Sequence, residues 1–233
     1  MIRNFLFSLV FFTGIIFISL IFLPAIFLPK KIVFFGGKIM GHWTSFCLQA
    51  FLSTKIVIKG MENIIIDKKF FIASSHQSIF ETFFLQTVFD SPVFILKKEL
   101  LMIPVFGWYL KKIGSISIKR NKISKENLSF FDDVSKQINS SSGPLIIFPQ
   151  GTRLSPEDRT PFKKGSSKIY EELKIACQPI AINSGNVWPK NGSKKINTIL
   201  TVSILESIEP GLEKEIFLKE LENVIYSELD NLG

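Results

Sequence analysis

Hydrophobic and polar positions are arranged in two distinct ways along this chain. From Phe5 to Leu28 there is no charged side chain, and at about 1.5 Å of rise per residue a helix of that length crosses a hydrocarbon core of about 30 Å. The pattern predicts a membrane helix. A secretory leader fits less well, because its apolar core runs for only about 7–15 residues and ends in a small-x-small cleavage site. The next stretch, residues 32–52, carries Phe35, Ile39, Trp43, Phe46 and Ala50 at helical spacing, interrupted by Gly36, Gly37, Lys38 and Gly41, and reads as an interfacial helix. Pro24 and Pro29 between the two stretches favour a bend, so a re-entrant pair lying in one leaflet competes with a single span.

From Thr54 onward the pattern changes. Short β-rich runs at 55–58, 70–73, 93–96, 116–118, 145–148, 179–182 and 198–205 alternate with helical patterns near 79–89, 104–112, 124–139, 166–176 and 212–230. Such alternation predicts an α/β fold with a mainly parallel sheet flanked by helices, behind N-terminal membrane helices. The organisation expected is a membrane-embedded or interfacial region at 1–53 and a folded domain at 54–233.

Charge narrows the partners. The chain has 28 Lys and Arg against 20 Asp and Glu, a formal net charge of +8, which favours anionic partners such as lipid headgroups or phosphorylated substrates. Nucleic acid is disfavoured, because the cations are dispersed and an apolar N-terminal segment would serve no purpose. Arg3 flanks the first apolar stretch on one side and Lys30, Lys31 and Lys38 on the other, so the positive-inside bias places the C-terminal part in the cytoplasm. Cys47 and Cys177 are the only cysteines, and they suggest neither a disulfide framework nor a metal site.

Two polar constellations carry chemistry, and both follow predicted strands, where the crevices of open α/β sheets form. In Ser-Ser-His-Gln-Ser-Ile-Phe-Glu, residues 74–81, His76 can act as a base near neutrality. Ser78-Ile79-Phe80-Glu81 has the form of a capping box. Glu81 could meet His76 only if the histidine sits in the turn before the helix, where a carboxylate on one ring nitrogen would leave the other free to take a proton. A satisfied structural histidine is the alternative. In Phe-Pro-Gln-Gly-Thr-Arg, residues 148–153, Arg153 offers a planar donor fork for phosphate, Thr152 a hydroxyl and Gly151 a close backbone approach, with Arg159, Lys163 and Lys164 adding charge. A solvated loop or a structural ion pair of Arg153 is the alternative there.

Taken together these segments resemble the 1-acyl-sn-glycerol-3-phosphate acyltransferase family, also known as lysophosphatidic acid acyltransferases. The family's H-x-x-x-x-D motif is matched by His76 and Glu81, its F-P-E-G-T-R by Phe148 to Arg153, its middle motif ending in Arg by Gly114 to Arg120, and its late Pro-containing strand by Gln178 to Ile182. Glu81 stands where the family has aspartate and Gln150 where it has glutamate. The resemblance implies a glycerolipid acyltransferase-like fold and acyl transfer from acyl-CoA or acyl carrier protein to the sn-2 hydroxyl of lysophosphatidic acid, giving phosphatidic acid. It further implies His76 and Glu81 as catalytic residues, with Gln150, Gly151, Thr152, Arg153 and Arg120 around the acceptor phosphate. No metal or cofactor is expected beyond the thioester co-substrate. The expected partners are a membrane lysophospholipid and the acyl donor, and the expected location is the inner cell membrane with the catalytic domain facing the cytoplasm. A different lysolipid acceptor, such as a lyso-aminolipid, and a non-catalytic lipid-binding role are the competing readings.

Overall fold

The computed structural model describes residues 2–118 and 130–233. Its helices are α1 (Ile2–Ile21), α2 (Lys30–Leu52), α3 (Phe80–Val88), α4 (Phe106–Ile113), α5 (Phe130–Ser140), α6 (Gly165–Leu173) and α7 (Lys214–Leu232). The strands are β1 (Lys55–Lys59), β2 (Phe70–Ser74), β3 (Val93–Lys97), β4 (Ile116–Ile118), β5 (Leu145–Ile147), β6 (Ala176–Ile182) and β7 (Ile199–Ile204). They form one sheet in the order β1-β7-β6-β2-β5-β3-β4, parallel at every junction except β6 with β7. The mainly parallel α/β architecture expected from the pattern is present.

Both faces of the sheet are covered, which is why its strands read as nearly continuous apolar runs. Ile72, Phe94, Ile146, Ile180 and Ile182 face one core with α1 to α4. Their neighbours Phe71, Val93, Leu145, Cys177 and Ala181 face the other core, with Val134 of α5, Ile169 of α6 and Phe217, Leu221 and Ile225 of α7. The alternation is the period of two that a pleated strand imposes.

α1 and α2 form an antiparallel pair folded back at a 3-10 turn, Leu23–Phe27, with Pro29 capping α2. Arg3 at the start of α1 donates to Phe51 O and Ser53 Oγ at the far end of α2, both at 2.7 Å. A Cβ on Gly14 would lie 2.1 Å from Trp43 Nε1, so glycine is what admits the indole, which donates to Phe11 O at 3.3 Å. α1 is also tied to the sheet domain. Tyr109 donates to Ser19 O at 2.5 Å, Asn4 donates to Lys194 O at 3.0 Å, and the Trp188 ring meets the edges of Phe7 and Phe11.

The apolar stripe of α2 faces outward: Phe35 and Phe46 are 58 % and 53 % exposed, while Val33, Gly36, Met40, Gly41, Thr44, Cys47 and Leu48 are buried. The glycines that interrupt the stripe are contact positions, since a Cβ on Gly41 would lie 2.6 Å from Phe83 O in α3. β6 begins at Ala176 rather than at Pro179. Pro179 fits inside the strand because its missing N–H falls between the bond of Cys177 to Ile208 and the ladder to β7 that starts at Ile180.

Candidate active site

β2 lies between β5 and β6, and all three end at the same edge, so the residues after Ser74, Ile147 and Ile182 are brought together from distant parts of the chain. His76 sits in the turn between β2 and α3, as meeting Glu81 requires. Its Nδ1 faces Glu81 Oε2 at 3.9 Å, and its side chain is 15 % exposed against none for Glu81. The distance exceeds a hydrogen bond.

The carboxylate of Glu81 holds the turn. Oε1 accepts from Gln77 N at 2.9 Å and Ser78 N at 3.0 Å, and Oε2 accepts from Ser78 N at 3.2 Å. This is the carboxylate half of the expected capping box. Ser78 Oγ instead accepts from Phe80 N at 3.3 Å, because the helix begins at Phe80 and leaves the Glu81 amide one position too deep. Burial pushes the Glu81 carboxyl up to about 7, opposed by its hydrogen bonds to Ser184, Gln77 and Ser78.

The turn at 148–153 clasps the histidine from the β5 side. The Phe148 ring stacks on the imidazole with centroids 4.1 Å apart, Leu154 N donates to His76 O at 2.9 Å, and His76 N donates to Gln150 Oε1 at 2.6 Å. Gln150 is therefore buried and turned toward the His76 backbone and the Tyr226 hydroxyl. Gly151 closes the turn with its N–H on Phe148 O at 2.9 Å and a φ of +74°, a conformation glycine adopts without strain. The stem of Lys163 lies along it. Thr152 is exposed and Arg153 half-buried, with no ion pair among the described residues. Arg159 is drawn elsewhere: it pairs with Asp230 and stacks over Tyr226. Arg120 lies outside the described residues.

The β6 side supplies contacts that no sequence signal flagged. Ser184 donates to Glu81 Oε1 at 2.5 Å, Gly185 N donates to Gln77 Oε1 at 3.0 Å, and Ser75 Oγ accepts from Ile182 N at 2.8 Å. The only cue was their place after a predicted strand. The assembly can hold an imidazole against a buried carboxylate, with the Arg153 guanidinium, which has no ion pair among the described residues, on the neighbouring turn and the Lys163 stem beside Gly151.

A sequence model of the acyltransferase family matches residues 55–183. Residues of the chain align at 33 % identity with a 1-acyl-sn-glycerol-3-phosphate acyltransferase of Pseudomonas aeruginosa, over 69 % of this chain and 64 % of the relative. A protein of the same description from Helicobacter pylori is 30 % identical over 67 % of each chain. The matched stretch thus spans only about two thirds of these relatives. Among solved structures, the 1-acyl-sn-glycerophosphate acyltransferase PlsC of Thermotoga maritima superposes with a TM-score of 0.78 at 24 % identity, covering 99 % of this chain and 96 % of that one. At that identity the likeness is one of fold.

Proposed function

This chain is a member of the acyltransferase family, and we propose that it transfers a fatty acyl group from an acyl thioester to the sn-2 hydroxyl of 1-acyl-glycerol-3-phosphate, forming phosphatidic acid. The observation that carries this reading is the His76 imidazole facing the buried Glu81 while stacked on Phe148, the first residue of the Phe-Pro-Gln-Gly-Thr-Arg turn.

In this mechanism His76 takes the proton of the acceptor hydroxyl on Nε2 as the oxygen attacks the thioester carbonyl. Glu81, on the Nδ1 side, orients the ring and stabilises the imidazolium. Collapse of the tetrahedral intermediate breaks the carbon–sulfur bond, and the proton on His76 passes to the departing thiolate. No acyl-enzyme forms, and the chemistry calls on no metal or prosthetic group. Arg153, with Gly151 and Thr152, holds the acceptor phosphate, so that a bimolecular encounter becomes a positioned attack. The thioester is acyl-CoA or acyl carrier protein.

Membrane seating supports the same reading. α1 is long and apolar enough to cross a membrane, yet contacts at both ends bind it to α2 and the sheet domain, and its outward side chains Phe5, Leu9, Phe12, Ile16, Phe17 and Leu20 are exposed. We place this face in the inner membrane, with the acceptor lipid reaching His76 from the bilayer and the thioester from the cytoplasm. Gln150 lends no weight to a non-phosphorylated acceptor, because its carbonyl is engaged by His76 N.

The test is acyl transfer by membranes carrying the full chain, with lysophosphatidic acid and a non-phosphorylated lysolipid as alternative acceptors. Transfer to lysophosphatidic acid is expected, with Arg153→Ala raising its KM by about tenfold, in keeping with the loss of a charge-assisted contact. Transfer only to the other acceptor, or an unchanged KM in the variant, would contradict the phosphate assignment.

A further inference from the structure

Glu81 is held by donors of two kinds. The amides of Gln77 and Ser78 belong to the same turn and move with it, whereas the Ser184 hydroxyl comes from the end of β6, 103 positions away. We propose that Ser184 is a positioning residue for acyl transfer: its hydroxyl hydrogen, given to Glu81 Oε1, ties the carboxylate to the sheet and turns Oε2 toward His76. The proposal rests on the reading of His76 as base and Glu81 as its orienting acid.

The geometry separates this role from one of holding the chain together. Ser184 and Glu81 are both fully buried, so water does not substitute for the bond. Oε1 is saturated by three donors, Gln77 N at 2.9 Å, Ser78 N at 3.0 Å and Ser184 Oγ at 2.5 Å. Oε2 keeps one long bond, from Ser78 N at 3.2 Å, and faces Nδ1 at 3.9 Å. The turn at Ser184–Asn186 stands on other atoms. Ser184 O accepts from Val187 N at 3.1 Å and Trp188 N at 2.8 Å, Gly185 N donates to Gln77 Oε1 at 3.0 Å, and Asn183 Oδ1 accepts from Thr201 N at 2.7 Å. Replacing the hydroxyl leaves all four bonds in place.

The consequence has a sign. A donor to a buried carboxylate favours its ionised form, and Ser184 heads the hydrogen bonds that oppose the upward push of burial on Glu81. Without the hydroxyl the carboxyl takes up a proton at higher pH and ceases to support the imidazolium there. His76 is the one titratable side chain within ion-pair distance of Glu81 among the described residues, so the acid limb of the pH–rate profile belongs to that pair.

The experiment measures kcat, KM for both substrates and kcat/KM against pH for the wild-type chain, Ser184→Ala and Ser184→Cys in membranes. Cysteine keeps the shape of the side chain, slightly enlarged, but is a weak donor, so it carries the test if alanine costs the fold. Expected in both variants are KM values within about twofold of wild type, kcat lower by about tenfold and an acid limb moved up by about one pH unit, the loss of one charge-assisted hydrogen bond. A folded Ser184→Cys chain with wild-type kcat and acid limb would overturn the positioning role alone. Collapse of both variants would overturn it as well, by showing the hydroxyl to be structural. A wild-type chain that transfers no acyl group would remove the reading beneath it.

Discussion

Gln150 departs from the family pattern, and its surroundings say what the amide does. Its carbonyl accepts from His76 N at 2.6 Å, and its side chain bonds to the Tyr226 hydroxyl, whose own proton goes to Thr160 O at 2.6 Å. An amide can serve both neighbours because it accepts at one end and donates at the other; a carboxylate only accepts. Gln150→Glu should therefore lower stability by about 1–2 kcal/mol, read as a shift of the urea midpoint, and leave KM for lysophosphatidic acid within about twofold. A KM change at unaltered stability would support instead the phosphate role that the family motif implies for Gln150. At this scale the sequence is informative only where chemistry is local. His76 and Glu81 are five positions apart, and their meeting depends on one turn, so the pair could be argued from spacing. The direction in which Gln150 points depends on Tyr226 in α7, and Ser184 reaches Glu81 across 103 positions, so neither was visible in a pattern of neighbours.

Among the elements, α3 joins the two N-terminal helices to the site. It begins one residue before Glu81 and packs on α2 at Gly41, where a Cβ would lie 2.4 Å from Thr87 Cγ2 and 2.6 Å from Phe83 O. The backbone carbonyl cannot swing aside as a side chain could. Gly41→Val should cost about 1–3 kcal/mol of stability by overpacking, and kcat should fall with it, because the displaced helix carries Glu81. Thermal unfolding and turnover of the same preparation check this, and a variant of wild-type Tm would show that α2 and α3 are not in close contact. The existence of α2 was legible from its apolar spacing, but its orientation was not. Hydrophobicity marks the side chains that avoid water, and α2 carries apolar side chains on both its buried and its exposed face; the glycines, read as interruptions, were the better marker of the packed side. The start of the helix expected at 124 lies outside the described residues, as does the end of the middle motif at Lys119 and Arg120.

For the whole molecule, two buried cores separated by one sheet give a rigid support, and the outward faces of α1 and α2 leave large apolar side chains exposed. Phe12 and Phe17 are 52 % and 62 % exposed. Replacing both with Glu should leave the fold intact and reduce binding to phospholipid vesicles by at least about tenfold, since burial of each ring is worth about 1.5–3 kcal/mol; unchanged flotation with vesicles would show that another surface seats the protein. The parallel sheet was legible because strand and helix alternate along the chain. The antiparallel β7 was not, because a strand pattern carries no direction and the connection between Ile182 and Ile199 holds only a 3-10 turn, Ser184–Asn186. If His76 is the base in acyl transfer, phosphatidic acid formation from labelled lysophosphatidic acid distinguishes membranes carrying equal amounts of wild-type and His76→Ala chain. A fall of about 10² to 10⁴ in turnover, with the variant still folded and membrane-bound, is the predicted result; undiminished turnover would contradict it.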